Sequence, residues 1–361
     1  MKKLYWFKTS LFAMALGTFT ACNDDDNGPQ VDPTEPPTSV GAYLLNTGHY
    51  KANNASIQWY DYAAGTVSGD LFQTANNRGI GDAQDLCVYG SKVYITSSTS
   101  AKLEIVRQQD FKTLKTLPLT RAGKPVEARY LTATGGNVYF TAYDGTVSRL
   151  DTLSLTITKT LTVGDHPEGI THAGGKLYVN ISGYGKGSEV AVIDLATFTK
   201  IKDLKVKLNP NTECLAAADG YVYLVSNGNY AGSSWVPEAD WVYQSMQRID
   251  PATDAVTDVC NATYIANRGD KMYILYAEYY LPKTHSISVY DLKTKTLKPF
   301  LPIEAVPNPS FIAVDPTSGD VYIGNQVKDA NDEVYVFDEK GTFKQKLQAG
   351  YYTTGVRFLL K

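Results

Sequence analysis

Cysteine, histidine, methionine and tryptophan are each present only four times in 361 residues. Three cysteines follow Cys22, namely Cys87, Cys214 and Cys260. Their odd number and the lack of any CxxC spacing argue against a disulfide framework or a thiolate metal site, and they read as small buried hydrophobes. The histidines, His49, His166, His172 and His285, form no HExxH pair, and neither a GxSxG elbow nor a phosphate loop is found. Gly183-Tyr184-Gly185-Lys186-Gly187 has the composition of a phosphate loop, but it lies between two predicted strands instead of opening a helix, and it reads as a flexible connection. Long apolar runs are lacking too, since Leu11 to Thr20 is too short for an ordinary membrane span.

That short run follows Lys2, Lys3 and Lys8 and ends in small residues, the layout of an export signal over residues 1–21. Phe19-Thr20-Ala21-Cys22 resembles a bacterial lipobox, which implies that Cys22 becomes a lipidated N-terminus. Residues 23–39, rich in Pro and acid with no apolar pattern, cannot bury enough surface to fold and read as a tether. Without the signal, 31 basic residues face 37 acidic ones, and five of those acids lie in the tether. The remaining body is nearly neutral, which argues against nucleic acid as a partner.

What the chain has in abundance is tyrosine, 26 residues, and a repeat. A Gly-x-apolar-Tyr signature recurs at Tyr94, Tyr139, Tyr178, Tyr223, Tyr273 and Tyr322, with a looser copy at Tyr43 and steps of 39 to 51 residues. A second anchor, an apolar run ending in Asp, recurs at Asp61, Asp151, Asp194, Asp250, Asp291 and Asp338; the second copy has Arg107 instead. The cleanest unit, from Pro167 to Leu204, holds four short apolar runs: Gly169 to Thr171, Leu177 to Val179, Val190 to Ile193 and Ile201 to Leu204. Four antiparallel strands A to D at this period describe a propeller blade. Seven copies fill residues 40–361 and predict an all-β, seven-bladed β-propeller. The first copy lacks strand A, and a spare strand, Gly355 to Leu359, completes it and removes the open edge. The repeated tyrosines are expected to fill gaps between blades, each hydroxyl finding a partner. Cys87 and Cys214 fall on innermost strands, and Cys260 near the start of another.

Function belongs where the copies differ. The A–B turns are short and alike. The B–C and D–A loops share the other face and carry aromatics: His49 and Tyr50, Tyr143, Tyr184, an insertion from Ser226 to Tyr243 with Tyr230, Trp235, Trp241 and Tyr243, then Tyr276, Tyr279 and Tyr280, and finally Tyr351 and Tyr352. Arg78, Arg129 and amides such as Asn308 accompany them. So many rings on one face imply a large neutral ligand with flat apolar surface and hydrogen-bonding edges, half of the rings serving only to staple loops. His166, Glu127, Glu168 and Glu213 are expected to crowd the channel mouth, the arrangement a propeller enzyme would need, and His172 reads as structural. Asp329, Asn331, Asp332 and Glu333 read as a solvated acidic loop ahead of a calcium site. The aromatic face also suits a glycan or a docked protein.

The Gly-x-Val-Tyr and Val-x-Val-Ile-Asp repeats resemble YncE-type or surface-layer propellers from Val40 to Lys361. The acids after Cys22 resemble the surface-export signal of Bacteroidetes lipoproteins. Together with the lipobox and the Tyr- and Trp-laden face, the whole is similar to the BtuG family of Bacteroides surface lipoproteins. That resemblance implies a non-enzymatic, lipid-anchored protein on the outer face of the outer membrane. Such a protein binds cobalamin as ligand, needs no cofactor of its own, and hands the ligand to a TonB-dependent transporter of the BtuB type. The site residues expected on this reading are Tyr50, Arg78, Tyr143, Tyr184, Tyr230, Trp235, Trp241, Tyr276, Tyr279, Tyr280, Asn308, Tyr351 and Tyr352.

Overall fold

The computed structural model describes residues 37–361, so the leader, Cys22 and all but the end of the tether lie outside the described residues. Seven four-stranded antiparallel sheets succeed one another in chain order, and their innermost strands pack side by side around a central channel. The protein is a seven-bladed β-propeller. In blade four the strands are Pro167–Ala173, Lys176–Ile181, Glu189–Asp194 and Thr199–Lys205, each longer than its apolar run because backbone pairing continues beyond the buried centre.

Burial falls from the axis outward. Lys176–Ile181 is buried at five of its six positions, whereas Thr199–Lys205 buries only Leu204. Neighbouring blades cover both faces of a second strand, which therefore reads as a continuous apolar run; the blades diverge at the rim and leave the fourth strand wet. Tyr43, Tyr94, Tyr139, Tyr178, Tyr223, Tyr273 and Tyr322 are all buried in second strands. Tyr223 donates to Asp219 and Tyr322 to Tyr62, but the hydroxyls of Tyr178 and Tyr273 bond to no other described residue, contrary to expectation. Burying a ring is worth about 2–3 kcal/mol, enough to offset an unpaired hydroxyl of similar cost.

The repeated aspartates close the C–D turns. Asp151, Asp194 and Asp291 each accept a backbone N–H three residues on, at 2.7 Å, and these bonds hold their carboxyls below the ordinary range. In the second copy Asp110 takes over, accepting from the Lys112 N–H and pairing with Arg107 at 2.8 Å.

Ring closure follows the spare-strand expectation: Thr353–Leu360 pairs with Ser39–Asn46 as the innermost strand of blade one. Ser39 lies on the A–B side, where its hydroxyl donates to Asp315 of blade seven, which also accepts from Tyr62. Asn46, at the other end of the strand, faces the B–C and D–A loops.

Three details depart from the sequence reading. Asp70 caps a short helix, Leu71–Asn76, between blades one and two. Cys260 lies in an outermost strand, Val256–Asn261, and not near the start of an innermost one; Cys87 and Cys214 do lie on innermost strands. Burial pushes the Cys87 thiol up to about 12 and that of Cys260 to about 11, which suits inert packing residues. The loop at Gly183–Gly185 is a pinned turn and not a loose one, since the N–H groups of Gly185 and Gly187 both donate to Ser182 O.

Candidate functional site

The aromatic residues on the B–C and D–A face divide into two groups. The first surrounds the mouth of the channel. A pocket of about 610 Å³ there is lined by Tyr50, Tyr143, Tyr184 and Tyr352, brought together from blades one, three and four and from the loop before the closing strand. His49, Asp82, Gln84, Glu127 and Arg129 also belong to its wall.

Tyr50 and Tyr184 are each 76% exposed. Tyr184, Tyr352 and His166 hold φ of 53°, 51° and 46°, the left-handed region that bulky residues avoid. Such backbone persists only where its surroundings hold it, and it recurs in the C–D turns on the other face, as at Phe111, Leu155 and Phe198. The His166 ring packs between Tyr143 and Tyr184, at 4.9 and 5.1 Å between centroids, and Nδ1 lies 2.7 Å from Asp165. Across the mouth, His49 packs on Tyr351 at 4.1 Å, and Tyr351 on Tyr352 at 4.9 Å.

Beneath the rings is a buried polar floor. Arg129 donates from Nε to Glu168 Oε2 at 2.9 Å and from Nη1 to Gln84 Oε1 at 2.6 Å, and its guanidinium lies 4.4 Å from the centre of the Tyr143 ring. Tyr143 donates to the other Glu168 oxygen. Burial pushes the Tyr143 phenol well above its ordinary range, and the adjacent Glu168 adds to the effect. Glu168 is thus engaged at both oxygens, one by Arg129 and the other by Tyr143.

Gln84 also lines a cavity of about 440 Å³ in the channel below, so it stands between the mouth and the channel. Glu213 lies there with Tyr130, Tyr264 and the Arg357–Asp85 pair, 2.8 Å apart. Burial raises the Glu213 carboxyl to about 7, opposed by Arg357 and by the Ile265 N–H. Of the four groups expected at the mouth, then, Glu127 lines it, Glu168 supports it, His166 flanks it and Glu213 lies deeper.

The second group stands over blades five and six. Tyr230, Trp235, Tyr280 and Tyr279 form a chain of ring contacts at 6.5, 5.2 and 4.7 Å, and none of them lines the mouth. Trp241 is half-buried, its indole N–H donating to Val236 O, and it staples the insertion.

The remaining expected residues have other surroundings. Arg78 is committed to Glu104, with which it makes two bonds at 2.8 and 3.0 Å, and lies at the rim between blades one and two. Tyr276 is buried at the end of its strand. The side chain of Asn308 donates to Gln326 O. Tyr351 lies behind Tyr352 as its support. The acidic loop after Val327 is a staple: Asp332 accepts the N–H groups of Val327 and Thr353 at 2.9 and 2.7 Å. His172 meets Thr132 at 3.0 Å. Gln84 and Asp82 at the mouth carried no sequence signal, since a lone polar residue beside an inner strand looks like any other. No cluster of three metal-ligating side chains occurs among the described residues.

A family model described as a domain of unknown function, DUF5074, matches residues 40–356. No curated protein matches the chain. Among solved structures, a putative 6-phosphogluconolactonase from Bacteroides uniformis is similar at 13% identity and a TM-score of 0.62, over 89% of this chain and 100% of that one. A protein from Lactobacillus plantarum is similar at 18% identity, with the same TM-score and coverage. Hydrazine synthase from Kuenenia stuttgartiensis is similar at 15% identity and a TM-score of 0.57, over 75% and 93%. At these identities the likeness is one of fold.

Proposed function

The chain belongs to the DUF5074 family, and on that premise we propose that it is a lipid-anchored protein of the outer cell surface that captures cobalamin or a related corrinoid at the channel mouth and delivers it to a TonB-dependent outer-membrane transporter. The observation that carries the reading is the convergence of Tyr50, Tyr143, Tyr184 and Tyr352 on one pocket floored by Arg129 and Gln84 and edged by Glu127. A corrinoid is a broad plate with apolar faces and a rim of amides. Tyr184 and Tyr352, held by left-handed backbone, and Tyr143, held by Glu168, meet its faces at little entropic cost, while Arg129 and Glu127 in the pocket wall supply a donor and an acceptor for amides. Binding of this kind needs no covalent step, and it is better served than turnover, because Arg129 and Glu168 already satisfy each other.

Anchoring through Cys22 rests on the lipobox resemblance. The fold is compatible with it: Ser39 begins the first strand on the face opposite the mouth, so a tether attached there leaves the mouth turned away from the anchor.

The test is a calorimetric titration of the soluble chain, starting after Cys22, with cyanocobalamin. One-to-one binding that weakens at least tenfold in Tyr184→Ala and Tyr143→Ala is expected. A flat trace from protein that melts cooperatively overturns the reading.

A further inference from the structure

The rings over blades five and six require an explanation of their own. Tyr279, Trp235 and Tyr230 are 80%, 63% and 57% exposed, and Tyr280 is 36% exposed. They do not sit on a loose loop. The insertion carrying Tyr230 and Trp235 is folded back on itself: Asn229 Nδ2 donates to Asp240 O at 2.8 Å, and the Val242 N–H returns to Asn229 Oδ1 at 2.8 Å. Gly228, at φ +64°, lies so close to the returning chain that a Cβ there would sit 1.9 Å from Val242 O. Blade six locks on from the other side, with Gln244 N–H donating to Glu278 and His285 bonding Glu278 O at 2.8 Å. Tyr230 itself is held at φ +62°. Solvated rings on a braced platform are costly to maintain unless something covers them.

The surroundings select the occupant. Ser234, Glu238 and Asp240 are exposed beside the rings, neither carboxylate is ion-paired among the described residues, and Lys283 is the cation on the facing loop. A protein partner would have to desolvate two unpaired carboxylates, which is costly unless it brings matching cations. A sugar ring instead presents an apolar C–H face to an aromatic ring and hydroxyl donors at its edge, which carboxylates accept without losing all their water. The net negative rim disfavours uronic or sulfated chains. We infer that the Tyr230–Trp235–Tyr280–Tyr279 platform is a second binding site, separate from the mouth, for a neutral glycan. This site is independent of the corrinoid reading.

The test uses native gels cast with soluble starch, an unbranched β-glucan, a mannan or a xylan, with polygalacturonate as the acidic control. Wild-type protein is expected to be retarded by at least one neutral polymer and not by polygalacturonate. In Trp235→Ala, and separately in Tyr279→Ala, retardation falls at least tenfold while thermal melting and the cyanocobalamin titration stay as in wild type. Four results would overturn the inference: no retardation by any neutral polymer, retardation by polygalacturonate alone, loss of cobalamin binding in the platform variants, or a dimer that the same variants convert to monomer.

Discussion

Tyr143 donates its hydroxyl hydrogen to Glu168 Oε1 across 2.6 Å, while Arg129 holds the other oxygen and lies over the Tyr143 ring. One buried carboxylate thereby fixes both an aromatic wall and the cationic floor of the mouth. Replacing Glu168 with Gln leaves the guanidinium short of its counter-charge where only 15% of the Arg129 side chain reaches solvent. Breaking such a pair costs about 3 kcal/mol, and urea unfolding of Glu168→Gln is expected to show a loss of that order. Tyr143→Phe keeps the ring and the ion pair, and it should lose only about 1 kcal/mol. Equal losses in the two variants would show that the phenol, and not the charge pair, holds the floor.

Closure of the ring is the second point of leverage. Asn46 is buried and uses both ends of its amide, accepting from the Thr353 hydroxyl at 2.7 Å and the Gly350 N–H at 3.0 Å while donating to Ser56 and Gln58. Asn46→Ala takes the acceptor from the Thr353 hydroxyl of the last strand and from the Gly350 N–H of the loop before it, and is expected to destabilise the fold by about 3 kcal/mol, read from chemical denaturation. Removing residues 353–361 exposes the edge of Ser39–Asn46 and should give self-associating protein by light scattering. A monodisperse, cooperatively folding product would show that closure is dispensable.

This closure was legible in the sequence because strands announce themselves by composition: one copy lacked a strand and another had one too many. The Gly-x-apolar-Tyr run is readable for the same reason, since neighbouring blades bury both faces and force a uniform apolar pattern. The site was legible only in part. Tyr50, Tyr143, Tyr184 and Tyr352 stood out as rings on one face, but Arg78 and Tyr276 stood out equally and lie elsewhere. What separates them is distance from the axis and depth in the blade, which the order of loops along the chain does not encode. The division of the rings into a mouth and a platform was hidden for the same reason.

Phe198 tests the logic of the C–D turn. It is fully buried yet sits at φ +49°, four residues after Asp194, with Arg149 5.4 Å from its ring. The left-handed backbone costs about 1 kcal/mol, and burial of the ring outweighs it. Phe198→Ala loses the burial and keeps the strain, for a deficit of about 3–4 kcal/mol. Phe198→Gly loses the same ring but relieves the strain, so it should be the more stable variant by about 1 kcal/mol. The reverse order would mean that the turn is not strained.

Glu213 gives the protein a dependence on pH. Its carboxyl, raised from an ordinary 4.5 to about 7 by burial in the channel, is faced by Arg357, which opposes the rise, and by Asp85, which adds to it. Below about pH 4.5 the group is protonated in folded and unfolded chains alike and contributes no difference. Between about 4.5 and 7 the unfolded chain ionises while the folded one keeps its proton, so stability falls as pH rises; above 7 the deficit is complete and amounts to at most about 3 kcal/mol. The side chain retains some contact with the cavity, which makes that figure an upper bound. Glu213→Gln cannot ionise, so it should match wild type near pH 4.5 and exceed it at pH 8 by up to that amount in urea titrations. Parallel stability curves for the two proteins across this interval would mean that the carboxylate is well solvated inside the channel.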